Sequence, residues 1–128
     1  MKADLHNHSY YSDGVLSPTE VVKLASEAEC DLFSLTDHDT TDGIAEAQLE
    51  ADKLNLHLVN GVEISALWRN MPIHILGLGI DTNNDILQTG LEHNQKLRKE
   101  RAEKIALGLW RSGIKDALEK TQRFSKTD

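Results

Sequence analysis

The sequence predicts an α/β fold whose strands are mainly parallel. Short apolar segments alternate with segments whose apolar residues recur at helical spacing, an alternation typical of strand–helix–strand units. Histidine or acidic residues follow directly after three of the apolar segments. Because ligands of parallel α/β proteins gather at the carboxyl ends of the strands, we expect these polar residues to share one edge of the sheet.

The composition is that of one folded domain. The chain has 128 residues, 39% of them hydrophobic and 27% charged. Fourteen basic and twenty-one acidic side chains give a net charge of −7, which excludes an extended basic surface for nucleic acid. A single cysteine, Cys30, and an amino terminus without an apolar region lead us to expect a cytoplasmic protein. No segment has the roughly 18 apolar residues of a membrane span, and the sequence leaves the oligomeric state open.

The first half of the chain predicts two strand–helix units. A strand around Leu5 runs into a loop that contains the turn 12–14. A helix begins at 17–20, because Ser-Pro-Thr-Glu supplies an N-cap serine, a proline at the first helical position and a glutamate three residues after the cap. A second strand at 32–36 precedes a helix over about 43–54.

The second half predicts two further strands and a long helical segment of about 85–122. Four strands form a small sheet, and the helices are too few to cover both of its faces. We therefore expect either a very small domain or a chain that is part of a larger barrel. The predicted segments are strands at 57–62 and 73–78, a loop at 66–72, a long helix at 85–112, a short helix within 114–122 and a polar tail at 125–128.

The long helix has an apolar stripe that polar residues interrupt. Asn94 and Arg98 lie in the middle of the stripe, which is unusual for a face that packs in a core. Arg98 and Arg101 are candidate phosphate contacts, because arginine can donate two N–H groups to phosphate oxygens. A solvated helix face over 96–104 is the alternative. The stripe comprises Leu87, Leu91, Ala102, Ile105 and Leu109.

Histidines and acids at the ends of the first two strands suggest a metal site. His6 and His8 are two residues apart, so on a strand both imidazoles lie on one face and can reach one ion. Asp37, His38 and Asp39 follow the second strand, where three ionisable groups are costly to bury unless they bind a cation or one another. The alternative is that these acids decorate a helix N-terminus.

Three further residues are candidate ligands with ordinary alternatives. Asp13 precedes a glycine, which is also common turn chemistry. Glu63 follows the third predicted strand, where a capping or solvent-exposed role is equally compatible with the sequence. His74 lies inside an apolar strand, so we expect it to be a buried ligand.

The types of these residues favour catalytic divalent ions over a structural zinc site. Imidazoles mixed with carboxylates, without thiolates, suit Mn, Fe, Zn or Mg. Divalent ions about 3.5–4 Å apart can hold a phosphoryl group and generate hydroxide at neutral pH. They also supply the positive field that an acidic protein lacks.

Five ordered motifs between residues 4 and 77 resemble those of the polymerase and histidinol phosphatase (PHP) family. The similarity is greatest to a branch of phosphoesterases that includes 3′,5′-nucleotide bisphosphate phosphatases and a 5′-to-3′ exoribonuclease acting on short RNA. The motifs are Asp4-Leu5-His6-Asn7-His8-Ser9, Ser12-Asp13-Gly14, Thr36-Asp37-His38-Asp39-Thr40, Gly61-Val62-Glu63-Ile64-Ser65 and Ile73-His74-Ile75-Leu76-Gly77.

The resemblance implies a distorted (β/α)7 barrel that holds two or three divalent ions. Manganese is the ion we expect first, with iron, zinc or magnesium as alternatives. A metal-bound hydroxide would attack the phosphorus of a phosphorylated small molecule, a nucleotide or a short RNA. Asp4, Asp37 and Asp39 would orient the imidazoles by accepting their other N–H groups. The implied metal ligands are His6, His8, Asp13, His38, Glu63 and His74.

The chain departs from the family in length. Members of this branch are roughly twice as long, and their remaining ligands, a histidine and an Asp-x-His motif, have no counterpart after His93. We therefore expect 1–128 to be the N-terminal portion of a PHP domain, with about 85–122 leading into the rest. Two alternatives stay open: a non-catalytic fragment that binds a metal or a partner, and the exonuclease module of a DNA polymerase.

Overall fold

The computed structural model describes residues 1–123, which form the predicted α/β fold. The polar tail expected at 125–128 lies outside the described residues. The elements are β1 (Ala3–Asn7), α1 (Pro18–Glu27), β2 (Leu32–Leu35), α2 (Ile44–Leu54), β3 (His57–Leu58), β4 (Gly61–Trp68), β5 (Met71–Leu78), α3 (Asp85–Arg111) and α4 (Ala117–Gln122).

A small parallel sheet carries the core. Its strand order is β1-β2-β3, and both pairings are parallel. Phe33 and Leu35 of β2 are buried in one cluster with Val22 of α1 and Ala47 and Ala51 of α2. The core therefore lies between β2 and the first two helices.

Helix α1 begins as the sequence predicts. The Ser17 hydroxyl accepts from the Glu20 amide, and the Glu20 side chain accepts from the Ser17 amide, which is a capping box. Pro18 occupies the start of the helix, where its missing N–H leaves no hydrogen bond unmade. These contacts fix the point at which the loop that follows β1 turns into the helix.

The single third strand predicted at 57–62 and the loop predicted at 66–72 are both wrong. The chain forms the two-residue strand β3, leaves the parallel sheet and then builds an antiparallel hairpin from β4 and β5. Arg69 and Asn70 make its turn with φ values of 48° and 64°. Two successive positive φ values are typical of the hairpin turn whose twist matches that of the strands.

The start of β4 continues the hydrogen bonding of β2. The Glu63 amide donates to the Asp37 carbonyl at 3.1 Å, and the Asp39 amide donates to the Glu63 carbonyl at 2.9 Å. His38 and Glu63 therefore form a parallel bridge beyond the end of β2. This bridge aligns the Asp-His-Asp segment with the glutamate.

Helix α3 docks mainly through polar side chains. Among its residues, all of them described, only Leu91 is buried, and Ile105 of the predicted apolar stripe is 53% exposed. Gln88 donates to the Thr41 hydroxyl at 2.9 Å, and Asn94 is also hydrogen-bonded to the rest of the fold. The polar interruption of the stripe is thus the docking face. Within residues 1–123, no helix is both long and apolar enough to cross a bilayer.

Two glycines should respond in opposite ways to alanine. A Cβ at Gly61 would overlap the Ser34 hydroxyl and lie 2.7 Å from Thr36 Cγ2, whereas one at Gly90 in α3 meets nothing within 4 Å. We expect Gly61→Ala to lower the free energy of unfolding by about 1–3 kcal/mol through overpacking. Gly90→Ala should raise it by about 0.8–1 kcal/mol through helix propensity. Urea denaturation measures both, and equal effects would contradict the described packing at Gly61.

Candidate metal centre

The structure brings all six predicted ligand residues together. Four imidazoles and two carboxylates converge from β1, from the loop after it, from the segment that follows β2, and from both strands of the hairpin. The residues are His6, His8, Asp13, His38, Glu63 and His74.

The Glu63 carboxylate is the centre of this cluster, and its side chain is only 8% exposed. Its Oε2 lies 2.9 Å from His6 Nε2, 3.0 Å from His8 Nε2 and 3.6 Å from His38 Nδ1. Its Oε1 lies 3.1 Å from His74 Nδ1. Burial raises the pKa of Glu63, but the hydrogen bond with His6 and the charges of His38, His6 and His8 outweigh it, so the pKa lies below its ordinary value.

Asp13 forms a second point of convergence. Its Oδ1 lies 2.8 Å from His8 Nδ1, and its Oδ2 lies 3.4 Å from His38 Nε2. Burial raises the pKa of Asp13, but the charges of His8 and His38 and its hydrogen bonds lower it further than burial raises it. Burial of the His38 imidazole is the main reason that the pKa of His38 is lowered, although Glu63 and Asp13 oppose this effect.

The hydrogen bonding of these imidazoles fits bound cations. Both ring nitrogens of His8 face carboxylate oxygens, whereas a neutral imidazole has only one N–H to donate. His38 Nδ1 is buried and has no hydrogen-bond partner within the described residues. Nitrogen lone pairs that face shared carboxylates are the arrangement in which a divalent ion satisfies both partners.

Three sets of side chains within the cluster could each hold an ion, and the ligand atoms in each set lie within 4.8 Å of one another. Glu63 belongs to two of the sets, as do His8 and His38. Each set combines imidazole with carboxylate, as hard or intermediate divalent ions require. The sets are His6, His8 and Glu63; His8, Asp13 and His38; and His38, Glu63 and His74.

The expectation that His74 is buried is wrong. Its side chain is 48% exposed, although its imidazole contacts Glu63. In β5 no residue is buried, and Ile73 and Ile75 on either side of the histidine are 37% and 51% exposed. Within residues 1–123, β5 pairs only with β4, so its apolar sequence does not place it in the core.

Asp37 does not orient an imidazole as predicted. Within the described part of the chain, its carboxylate accepts from the Ser9 amide, the Ser9 hydroxyl and the Ser12 hydroxyl, each at 2.7 Å. Asp37 instead fixes the loop that carries His8 and Asp13. Asp4, the third carboxylate expected to orient an imidazole, is exposed.

The prediction for Asp39 is wrong in the same way. Its buried carboxylate contacts no imidazole among residues 1–123 and accepts four other hydrogen bonds. Oδ1 accepts from the Ser65 amide at 2.8 Å and from Asn94 at 2.9 Å, and Oδ2 accepts from the Ser65 hydroxyl at 2.6 Å and from Arg98 Nε at 2.7 Å. Burial raises the pKa of Asp39, but the hydrogen bonds from Ser65, Arg98 and Asn94 outweigh burial and hold it below the ordinary value. Asp39 therefore joins β4 to α3.

A cleft of about 810 Å³ opens beside the cluster. Arg98 lines it, but its guanidinium is hydrogen-bonded to Asp39 and to the Ser65 hydroxyl. Arg101 is not among the lining residues, because helix periodicity places it on the other side of α3 from Lys99. Lys96 and Lys99 line the cleft instead, which the sequence did not predict because both belong to an ordinary charged helix face.

Comparison with known proteins assigns the family. Residues 4–116 match the family model described as the PHP domain. The chain is 41% identical over 121 residues to the 3′,5′-nucleoside bisphosphate phosphatase of Chromobacterium violaceum, covering 94% of this chain and 42% of that protein. It is 42% identical over 125 residues to the 5′-3′ exoribonuclease Rnm of Escherichia coli, covering 96% of this chain and 43% of that protein.

A solved structure shares the fold. It is described as an amidohydrolase from Chromobacterium violaceum with bound sulfate and no metal, and it superposes with a TM-score of 0.94 at 39% identity. The match covers 99% of this chain and 45% of that one. The chain thus spans less than half the length of these relatives. From the match over 4–116, the chain belongs to the PHP domain family.

Proposed function

We propose that a protein carrying this chain hydrolyses phosphate esters of nucleotides or of short RNA 5′ ends with the help of divalent metal ions. The observation that carries the proposal is the buried Glu63 carboxylate, which four imidazoles approach to within 2.9–3.6 Å. The substrate class is supported by the names of the relatives, a nucleoside bisphosphate phosphatase and an exoribonuclease. These names favour a free-standing phosphoesterase over the exonuclease module of a polymerase.

The six clustered residues would hold two or three ions, with manganese as the first candidate. Such ions neutralise phosphate charge and lower the pKa of bound water. Two residues of the chain keep the ligands in place: Asp37 fixes the loop between His8 and Asp13, and Asp39 fixes the segment after His38 to β4 and α3. No side-chain nucleophile is required.

Histidine variants test the proposal in the 128-residue chain. With Mn²⁺ present, we expect hydrolysis of p-nitrophenyl phosphate or of a 5′-phosphorylated oligoribonucleotide, and a rise in Tm. When the free metal concentration is 100 times the Kd, binding stabilises the folded state by about 2.7 kcal/mol. His38→Ala should lower both responses, with a loss of metal affinity of at least about 10–100-fold, the range seen when only a supporting partner of a ligand is removed.

His93→Ala is the matched control, because His93 is exposed on α3 and lies outside the cluster. It should leave metal binding and hydrolysis unchanged. A Tm that rises with Mn²⁺ without any hydrolysis would support the alternative of a metal-binding fragment. Absence of both responses, or an equal response in His38→Ala and His93→Ala, would contradict the proposal.

Two expectations about the whole protein belong with this proposal. We infer that 1–128 is the N-terminal portion of a PHP domain, in which about 85–122 leads into the rest. A cytoplasmic location is also inferred, from the lone Cys30, which has no second cysteine in this chain with which to form a disulfide.

A further inference from the structure

The cleft beside the candidate metal centre has one aromatic wall residue. Tyr11 lies in the loop between His8 and Asp13 and lines the cleft together with Asp13 and His38. An aromatic ring at this position is not needed to hold ions. It is therefore a feature of the cleft that the metal ligands do not explain.

The loop that carries Tyr11 is held by its own hydrogen bonds. The Ser9 carbonyl accepts from the amides of Ser12 and Gly14 at 3.1 and 2.9 Å, and the Tyr11 amide donates to the Ser9 hydroxyl at 3.2 Å. The Ser9 hydroxyl in turn donates to the buried Asp37 carboxylate at 2.7 Å. The backbone of Tyr11 is thus fixed to the same scaffold as the ligands on either side of it.

Neighbouring groups also hold the ring itself. Tyr10 stacks on it with ring centroids 5.1 Å apart and an interplanar angle of 21°. The ring edge lies so close to Gly43 that a Cβ there would be 3.1 Å from Tyr11 Cδ2. Tyr11 nevertheless remains partly exposed and lines the cleft. A ring that is already positioned loses little conformational entropy when a ligand packs on it.

The part of the cleft that α3 lines is polar. Lys96 and Lys99 of α3 line it, and neither forms an ion pair in the described part of the chain. Gln95 lies beside them with its side-chain amide bonded to the Asp39 carbonyl at 2.8 Å. The cleft thus combines an aromatic ring, an adjoining cluster of metal-ligating residues and, on α3, the ammonium groups of Lys96 and Lys99 beside the carboxylates of Glu92 and Glu103. A nucleoside phosphate has matching parts, namely an aromatic base and an anionic phosphate.

We propose that Tyr11 is a specificity-determining residue, on whose ring the base of a nucleotide stacks while the phosphate lies toward Asp13 and His38. This inference rests on the proposed function, because the phosphate position depends on the ions of that site. Base–aromatic stacking is tolerant of base identity, since every base presents a π-face. The residue therefore selects nucleotides over phosphate esters without a base and leaves the choice of base open.

Equilibrium binding of two ligands that differ only in the base tests the inference. Isothermal titration calorimetry with Mn²⁺ gives the Kd of AMP and of ribose 5-phosphate for the full chain and its variants. We expect AMP to bind about tenfold or more tightly, the effect that stacking has on affinity. Tyr11→Leu should reduce this preference to about threefold or less, whereas Tyr11→Phe should keep it. Rescue by phenylalanine separates stacking from a role of the hydroxyl.

Trp68→Leu is the matched control, because it also exchanges an exposed aromatic residue for leucine but lies at the hairpin tip outside the cleft. It should keep the preference for AMP. Equal binding of the two ligands to the unaltered chain, binding of neither, or an unchanged preference in Tyr11→Leu would each overturn the inference. Phosphate release is measured separately. If both ligands are hydrolysed equally and bind equally, the proposed function stands and the inference fails. If AMP binds selectively but is not hydrolysed, base stacking on Tyr11 stands and the proposed hydrolysis fails.

Discussion

Glu63→Gln is expected to remove two of the ions that the cluster can hold. Its carboxylate belongs to the set with His6 and His8 and to the set with His38 and His74, and it lies within 3.6 Å of all four imidazoles. Glutamine keeps the shape of the side chain but replaces one anionic oxygen with an N–H donor. We expect Mn²⁺ affinity to fall by more than about 100-fold, because loss of a supporting partner alone costs about 10–100-fold. Metal-dependent hydrolysis should be lost with it.

Asp13→Asn provides the comparison that makes this result specific. Asp13 belongs only to the set with His8 and His38, so its replacement should remove one ion and leave the other two sets intact. Metal analysis after gel filtration gives the number of Mn²⁺ ions per chain for each variant. Circular dichroism in EDTA checks that both variants keep the fold. If Glu63→Gln bound as many ions as Asp13→Asn, the central role of the glutamate would be refuted.

The proximity of several residues of the cluster was predictable because local sequence places them at the ends of apolar segments, whereas the full set of six followed only from the family resemblance. The His-x-His spacing of His6 and His8, the acidic segment around His38 and the Gly-Val-Glu of Glu63 all follow apolar segments. Parallel pairing of β1 with β2, followed by the bridge between His38 and Glu63, brings these ends together. The α1 capping box was predictable for the same reason, since all its contacts lie within four consecutive residues.

The hairpin was not predictable from the same kind of pattern. Its turn residues, Arg69 and Asn70, include no glycine, although both adopt positive φ values. The apolar residues of β5 suggested a buried strand, but the hairpin pairs outside the parallel sheet and leaves Ile75 half exposed. Burial depends on which strands are neighbours, and a run of apolar residues does not specify them.

The partners of the buried carboxylates were missed because they are distant in sequence. Asp39 contacts Ser65, Asn94 and Arg98, which are 26 to 59 residues away. The sequence showed Asn94 and Arg98 as an interruption of the apolar stripe of α3, without an indication of what they bind. They bind the buried carboxylate of Asp39, because polar side chains on a docking face require a hydrogen-bond partner when they are buried.

Asp39→Asn should lower the free energy of unfolding by about 3 kcal/mol. Each carboxylate oxygen accepts two hydrogen bonds. An NH₂ group in place of Oδ1 would face the N–H donors of Ser65 and Asn94, and one in place of Oδ2 would face Arg98 Nε, while the Ser65 hydroxyl could rotate and accept. Hydrogen bonds to charged groups contribute about 1.5–3 kcal/mol, and an unsatisfied buried donor costs about 1–3 kcal/mol. The Arg98 side chain is 47% exposed and can hydrogen-bond to water instead. The expected loss of unfolding free energy is therefore at the lower end of the sum of these two contributions. Asparagine tolerates the φ of 54° at this position, so backbone strain does not add to the effect.

Asp42→Asn is the matched control in the same loop, because Asp42 is exposed and its replacement should change stability by no more than about 0.5 kcal/mol. Urea denaturation of both variants in EDTA measures the difference without a contribution from metal. Hydrogen exchange shows where in the chain stability is lost. Asp39 is hydrogen-bonded to Asn94 and Arg98 through its carboxylate and to Gln95 through its carbonyl. Amides in this part of α3 should therefore lose protection before those of α1. Equal stability of the two variants, or equal loss of protection in α1 and α3, would mean that the apolar contact of Leu91 holds α3 in place without the carboxylate.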